Sequence, residues 1–170
     1  MFPIVEWIKS ERLKIMKKVN SIFLCAPYTN TIDDSTELIN EAYKSWLTEI
    51  ISYLRRKSDT LYNSHTREEW GAKLSSPKEA VMIDFAQISS ADYVVAYIGD
   101  PPSSGVLVEL GFAASLKKPI IIFTESGKLI PYFAQGLKAW TNVTEISFDN
   151  LDDLFKKLEN AFASYSTGQE

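Results

Sequence analysis

The stretch that decides the fold runs from residue 76 to residue 123: SPKEAVMIDFAQISSADYVVAYIGDPPSSGVLVELGFAASLKKPIIIF. It opens on Ser76-Pro77-Lys78-Glu79, with Ser at the N-cap, Pro at the first helical position and Glu at the third. That capping box starts a helix expected to run to about Ser89. Residues 93–98 and 119–123 are unbroken β-branched and aromatic runs, the pattern of strands covered on both faces. A helix over 105–116 joins them. Helix, strand, helix, strand in this order is the repeating unit of a parallel sheet.

Working outward, the alternation continues. Residues 21–26 are a short apolar run closed by Pro27, read as a buried strand. Residues 35–56 hold a helical period, with Leu38, Ile39, Ala42, Tyr43, Trp46, Leu47, Ile50, Ile51 and Leu54 on one face. Residues 60–63 are a weaker strand and 143–148 a fifth. Asp149, with Asp152 three residues later, opens a last helix that ends near Ser164. Crossovers between parallel strands leave helices on both sides of the sheet. The expected fold is therefore α/β: a single domain with a five-stranded parallel sheet between helices, flavodoxin-like or Rossmann-like. No repeat, low-complexity tract or linker rich in Gly, Pro or Ser divides it. Residues 20–165 form this domain, 1–19 an N-terminal helical appendage, and 166–170 a tail.

Composition narrows the function. At 170 residues the chain can bury about two-thirds of its unfolded surface, so its core needs no staples. With 45% hydrophobic and 24% charged residues, a disordered or collagen-like chain is excluded. No apolar run approaches the roughly 20 residues of a transmembrane helix. Cys25 and His65 are the only cysteine and histidine, which excludes a disulfide framework and the common zinc-ligand sets. A net charge of −4 argues against a nucleic-acid coat. The first twenty residues interleave apolar Phe2, Ile4, Val5, Ile8, Leu13, Ile15 and Met16 with Lys9, Arg12, Lys14, Lys17 and Lys18. They read as a basic amphipathic helix packed on its own domain or on a partner subunit; contact with a membrane surface is the other reading. They lack the h-region and cleavage site of a secretory signal. The expectation is a cytoplasmic domain that handles a small molecule, with no nucleic-acid or membrane partner.

In parallel α/β sheets ligands bind beyond the carboxyl ends of the strands, at a topological switch point. Residues 27–34, 63–76, 99–109 and 124–135 fall there. They contain no GxGxxG and no GxxxxGK[ST]. A Ser-His-Asp triad would have to use His65, and no GxSxG elbow presents a serine. Two acids say more. The helical neighbours of Glu109 three and four residues away are Gly105, Val106, Phe112 and Ala113; those of Asp84 are Ala80, Val81, Gln87 and Ile88. A lone carboxylate on an apolar stripe is costly unless it is paired, hydrogen-bonded or facing a cavity. Each acid has the alternative of capping a backbone turn or pairing with an arginine. Two of them, in the helices flanking one strand, favour a site. Glu109 also lies in the early turns of its helix, where the dipole favours the ionised form. Such a pair suits glycosidic bond cleavage, one acid as nucleophile and the other supporting proton transfer. Before it, Ser103-Ser104-Gly105 runs from a Pro-Pro turn into a helix N-terminus. That turn is either an anion site or an ordinary turn with Ser104 as N-cap.

Over roughly residues 20–148 these features resemble the nucleoside 2-deoxyribosyltransferase superfamily and its nucleotide N-glycosidase relatives. The carriers are the strand Ile22-Phe23-Leu24-Cys25-Ala26-Pro27-Tyr28, then Asp84 eight residues before Asp92. Next come Ser103-Ser104-Gly105-Val106-Leu107-Val108-Glu109-Leu110-Gly111 and the strand Lys118-Pro119-Ile120-Ile121-Ile122. The resemblance implies that Glu109 attacks the anomeric carbon to form a ribosyl-enzyme ester, and that Asp84 assists base departure. Asp92 matches a family position but falls at the start of its strand, where a structural role is expected.

Position 103 separates the branches. The resemblance places an acid there in transferases of free nucleosides, and a phosphate-binding serine in the branch that hydrolyses nucleoside 5′-monophosphates. Ser103, Ser104 and Gly105 would then hold the phosphate, with water as acceptor and no cofactor or metal. Tyr28, His65 and Trp70 are candidates to contact base or sugar. For the segment carrying His65 and Trp70 the alternative is a surface loop with an Arg-Glu pair, anchored by the tryptophan. The resemblance also implies a nucleotide or nucleoside as small-molecule partner, and a homodimer. The expected function is hydrolysis of the base–sugar bond of a nucleoside 5′-monophosphate. Base exchange by deoxyribosyl transfer, a non-catalytic nucleotide sensor and a plain scaffold domain are the alternatives.

Overall fold

The computed structural model describes residues 19–28, 31–32 and 39–167. The expected appendage, up to residue 18, and residues 168–170 of the expected tail lie outside the described residues. Five strands, β1 (Val19–Cys25), β2 (Ser58–Asn63), β3 (Tyr93–Tyr97), β4 (Ile120–Glu125) and β5 (Val143–Phe148), form one sheet. Every pairing is parallel and the order is β2-β1-β3-β4-β5. Among the described residues six helices accompany them: α1 (Glu41–Lys57), α2 (Ser64–Arg67), α3 (Pro77–Ser90), α4 (Ser104–Ser115), α5 (Tyr132–Gly136) and α6 (Leu151–Thr167). This is the expected α/β architecture.

The continuous apolar runs are explained by the pleat, which sends successive side chains to opposite faces. Ile22, Leu24, Val95, Tyr97, Ile121 and Phe123 pack against Leu47, Ile50 and Leu54 of α1 and Leu154 and Leu158 of α6. Their sequence neighbours Phe23, Cys25, Val94, Ala96, Ile120 and Ile122 pack against Ile88 of α3 and Val106, Leu110 and Ala113 of α4. Two cores result, one on each side of the sheet. Asp92 ties the N-terminal edge together: its Oδ2 accepts from the Ser21 amide at 2.9 Å and the Ser21 hydroxyl at 2.8 Å. That is a structural task, remote from the carboxyl ends of the strands.

Several boundaries differ from the expectation, each for a local reason. The capping box of α3 forms, with Ser76 Oγ accepting from Glu79 N and Glu79 Oε2 from Ser76 N. Helix α1 begins at Glu41, not at residue 35, because the Asn40 side chain accepts from the amides of Ala42 and Tyr43 and caps it there. Ile39 pairs instead with Ile32 in an isolated antiparallel bridge. Helix α6 runs past Ser164, so residues 166 and 167 of the expected tail continue it. The 3₁₀ turns Glu69–Gly71 and Leu137–Ala139, with α2 and α5, are too short to carry a period and were not foreseen.

The topology opens the site. From β1 the chain moves outward to β2, then returns past β1 to β3, so the connections beyond β1 and β3 diverge. Pro27 and Gly99 meet beside this switch point. Gly99 has a φ of +82°, and a Cβ there would lie 2.5 Å from Pro27 Cγ. Only glycine fits. Among the described residues no helix is long and apolar enough to cross a membrane.

Candidate active site

A cavity of about 370 Å³ lies at the carboxyl ends of β1 and β3. Its walls are Tyr28 after β1, Arg67 and Glu68 at the end of α2, Leu74 and Ser75 before α3, Asp84 of α3, and Ser103, Ser104, Gly105 and Glu109 at α4. Six of the eight residues singled out from sequence therefore share one hollow: Glu109, Asp84, Tyr28, Ser103, Ser104 and Gly105. His65 and Trp70 do not line it.

Glu109 is half-buried and has no ion pair among the described residues. Burial first, and the Asp84 charge second, push its carboxyl up to about 8, while the Cys25 thiol and Arg67 pull the other way. Asp84 is 9% exposed. Arg67 Nη1 donates to its Oδ1 at 2.6 Å and to Gln87 Oε1 at 3.3 Å, and Nη2 donates to Glu68 Oε1 at 3.0 Å. Burial raises the Asp84 pKa and the arginine lowers it, with burial prevailing. Asp84 thus combines both readings of its apolar stripe: it faces the cavity and is paired with an arginine. Two carboxyls whose pKa values burial raises, one of them gripped by an arginine and both facing one hollow, are the kind of acid pair that covalent glycosyl chemistry uses.

The N-cap of α4 is Ser103, one residue before the expected Ser104, and its hydroxyl makes no bond to its own helix. The first amides of a helix have no intrahelical acceptor, so Ser104, Gly105 and Val106 present N–H groups at this end. Together with the Ser103 hydroxyl they are donors that can hold an anion without a lysine.

His65 lies outside the cavity. It is fully buried behind Tyr28, with ring centroids 4.7 Å apart, and Nε2 donates to the Pro27 carbonyl at 2.9 Å. Burial, opposed by that hydrogen bond, lowers its pKa to about 4. The imidazole therefore does not reach the cavity wall, because α2 turns it inward. Trp70 is likewise turned away: it packs on the core beneath α1, 5.7 Å from the His65 ring. It is the anchor that the alternative reading describes. The Arg-Glu pair of that reading is also present, as Arg67 and Glu68, but within the cavity wall and not on a surface loop.

Arg67, Glu68 and Cys25 were missed. One signal pointed to Arg67: it is the only arginine after α1, and two lone acids need a cation. For Cys25 none did, since strand parity alone brings it under Glu109. Among the described residues no cluster of three His, Cys, Asp or Glu side chains could hold a metal.

Two carboxylates over a sugar-sized hollow, in an α/β sheet at its switch point, define the class of enzymes that transfer or hydrolyse glycosyl groups. Residues 22–155 match the family described as nucleoside 2-deoxyribosyltransferase, and the chain belongs to it. Solved structures agree. The protein BlsM is 28% identical with a TM-score of 0.75, over 86% of this chain and 91% of that one. A Clostridium botulinum CMP N-glycosidase, BcmB, has the same fold at 22% identity and TM-score 0.61, over 82% of this chain and 99% of its own. A conserved protein from Enterococcus faecalis V583 shares it at 16% identity and TM-score 0.56, with 84% and 99% covered. No curated protein sequence matches the chain.

Proposed function

We propose that the chain hydrolyses the N-glycosidic bond of a nucleoside 5′-monophosphate. The observation that carries this reading is the pair Glu109 and Asp84 on one cavity wall, beside the uncommitted N-terminus of α4. In its ionised form, which gains ground as pH rises towards 8, the Glu109 carboxylate attacks C1′ as the C1′–N bond breaks, and the bonding electrons leave with the base. Asp84, held through Oδ1 by Arg67, uses Oδ2 to manage the proton at the departing base. The phosphate rests on the Ser103 hydroxyl and the first amides of α4, a place where a carboxylate would repel it. Water then cleaves the ester, which frees Glu109 and releases ribose or deoxyribose 5-phosphate. The same architecture serves the CMP N-glycosidase named above, so the reaction class is compatible with it. No cofactor enters this scheme.

The test is incubation of the protein with a panel of nucleoside 5′-monophosphates, followed by chromatography for free base. One or more should yield base and sugar phosphate in equal amounts, and Glu109→Gln should lower kcat at least about a thousandfold. Full turnover by Glu109→Gln removes the glutamate from the role of nucleophile. Incorporation of a second added base points to the transferase, and intact nucleotide recovered from a tight complex points to the sensor.

We also propose that the chain works as a homodimer through the outer faces of α3 and α4. From residue 80 to 90, and from 104 to 115, the only charged side chains are Asp84 and Glu109, and both turn inward. Val81, Met82 and Val108 stand at least half exposed there. A charge-free face is self-complementary across a two-fold axis, and Ala80 and Gly105 continue it to the cavity mouth. A second copy seated on it would close that side of the cavity.

A further inference from the structure

Pro27 lies two residues beyond β1, and its carbonyl oxygen is the acceptor of two side-chain hydrogen bonds. His65 Nε2 reaches it at 2.9 Å from α2, and Tyr43 OH at 2.9 Å from α1. A carbonyl can only accept, so His65 is the Nε2–H tautomer. The pyrrolidine ring fills the space where Gly99 would carry a Cβ, and Gly99 opens the loop that ends at the Ser103 cradle. The next residue, Tyr28, is a cavity wall, and its ring lies against that of His65. Its carbonyl in turn accepts from the Thr31 amide at 3.1 Å and the Thr31 hydroxyl at 2.7 Å. Pro27 and Tyr28 are therefore one short piece of chain in contact with both halves of the site. Tyr28 belongs to the half shared with Arg67 and Glu68, Pro27 to the half with the α4 cradle.

We propose that His65 is a positioning residue: with Tyr43 it clamps the Pro27 carbonyl and so fixes the distance between the Tyr28 wall and the Ser103–Gly105 cradle. His65 touches no substrate. Its effect is on how well both ends of a nucleotide are held at once, which is a matter of affinity more than of bond cleavage. This inference rests on the N-glycosidase reading for its choice of ligand.

The experiment compares His65→Leu, His65→Gln and Tyr43→Phe with the wild type. For each, turnover of the best nucleoside 5′-monophosphate and calorimetric binding of the same nucleotide are measured side by side. His65→Leu should raise KM and Kd about tenfold, the worth of one buried hydrogen bond, with kcat changed less than about threefold. His65→Gln, which keeps an N–H for Pro27, should recover most of the loss. Tyr43→Phe should weaken binding too, and the double variant should lose less than the product of the two, because both donors act on one oxygen. A folded His65→Leu with wild-type KM and Kd overturns the proposal, as does a His65→Gln no better than leucine. Should leucine prevent folding, Tyr43→Phe with unchanged KM overturns it instead. A wild type that binds nucleotide without cleaving it overturns the N-glycosidase reading and leaves the clamp to be judged in Kd. A wild type that neither binds nor cleaves overturns both.

Discussion

Glu109 keeps its proton to a higher pH in the folded chain than in the unfolded one, where the ordinary value is 4.5, and this has a consequence for stability. Because the folded-state pKa is raised, the stabilising effect of that proton is complete below the unfolded value. It is lost as pH climbs from there towards 8. Glutamine carries no charge at any pH and escapes the loss. Glu109→Gln should therefore melt within about 2 °C of the wild type at pH 5 and roughly 2 to 10 °C above it at pH 8. Thermal melts at the two pH values decide it, and a difference that shrinks with rising pH contradicts the assignment. The same carboxylate was legible in the sequence because nothing charged stands three or four residues from it. Arg67 was not, since its partner Asp84 lies on another helix, and no local spacing links them. His65 was visible as the lone histidine, but which way it faces is decided by how α2 folds under Tyr28. That is tertiary information.

Among the elements, the two helix starts on this side of the sheet make a contrast. Ser76 exchanges hydrogen bonds with Glu79 in a complete capping box, whereas the Ser103 hydroxyl caps nothing. Ser76→Ala should cost about 1 kcal/mol of stability and leave nucleotide affinity alone. Ser103→Ala should cost well under that, yet raise KM for the 5′-monophosphate about tenfold with little change for the matching nucleoside. Urea unfolding and paired kinetics on the two substrates read both effects, and equal stability losses would refute the division. Long periodic helices and β-branched strands were legible to within a residue or two, as α3 and β5 show. The start of α1 was misplaced because Leu38 and Ile39 keep the helical spacing while Asn40 ends it. A hydrogen-bonding cap outweighs periodicity.

At the scale of the whole molecule, the two helical layers differ in kind. The outer surface of α1 and α6 carries Glu41, Lys44, Lys57, Asp153 and Lys157, several of them in ion pairs. The layer of α3 and α4 carries Lys78 and Glu79 in the first turn of α3 and, from residue 80 onward, no charge except the inward Asp84 and Glu109. Sedimentation should find a dimer at micromolar concentration, and Met82→Glu with Val108→Glu should yield a folded monomer. A wild type that stays monomeric, or a double variant that still pairs, removes this face as the contact. Strand order and the two-sided core followed from the alternation of strand and helix, which leaves few topologies. The bareness of one layer was present in the same letters. It became meaningful only once the sheet showed which helices share a side.

The contact between Pro27 and Gly99 also limits how this pocket can change over evolution. A larger residue at 99 must both adopt a left-handed backbone and displace a proline ring, and a single substitution does neither without cost. Descendants that accept a bulkier nucleotide are therefore expected to have enlarged the rim at Leu74 and Ser75, where the wall is a loop. The β1 and β3 side stays as it is, generation after generation.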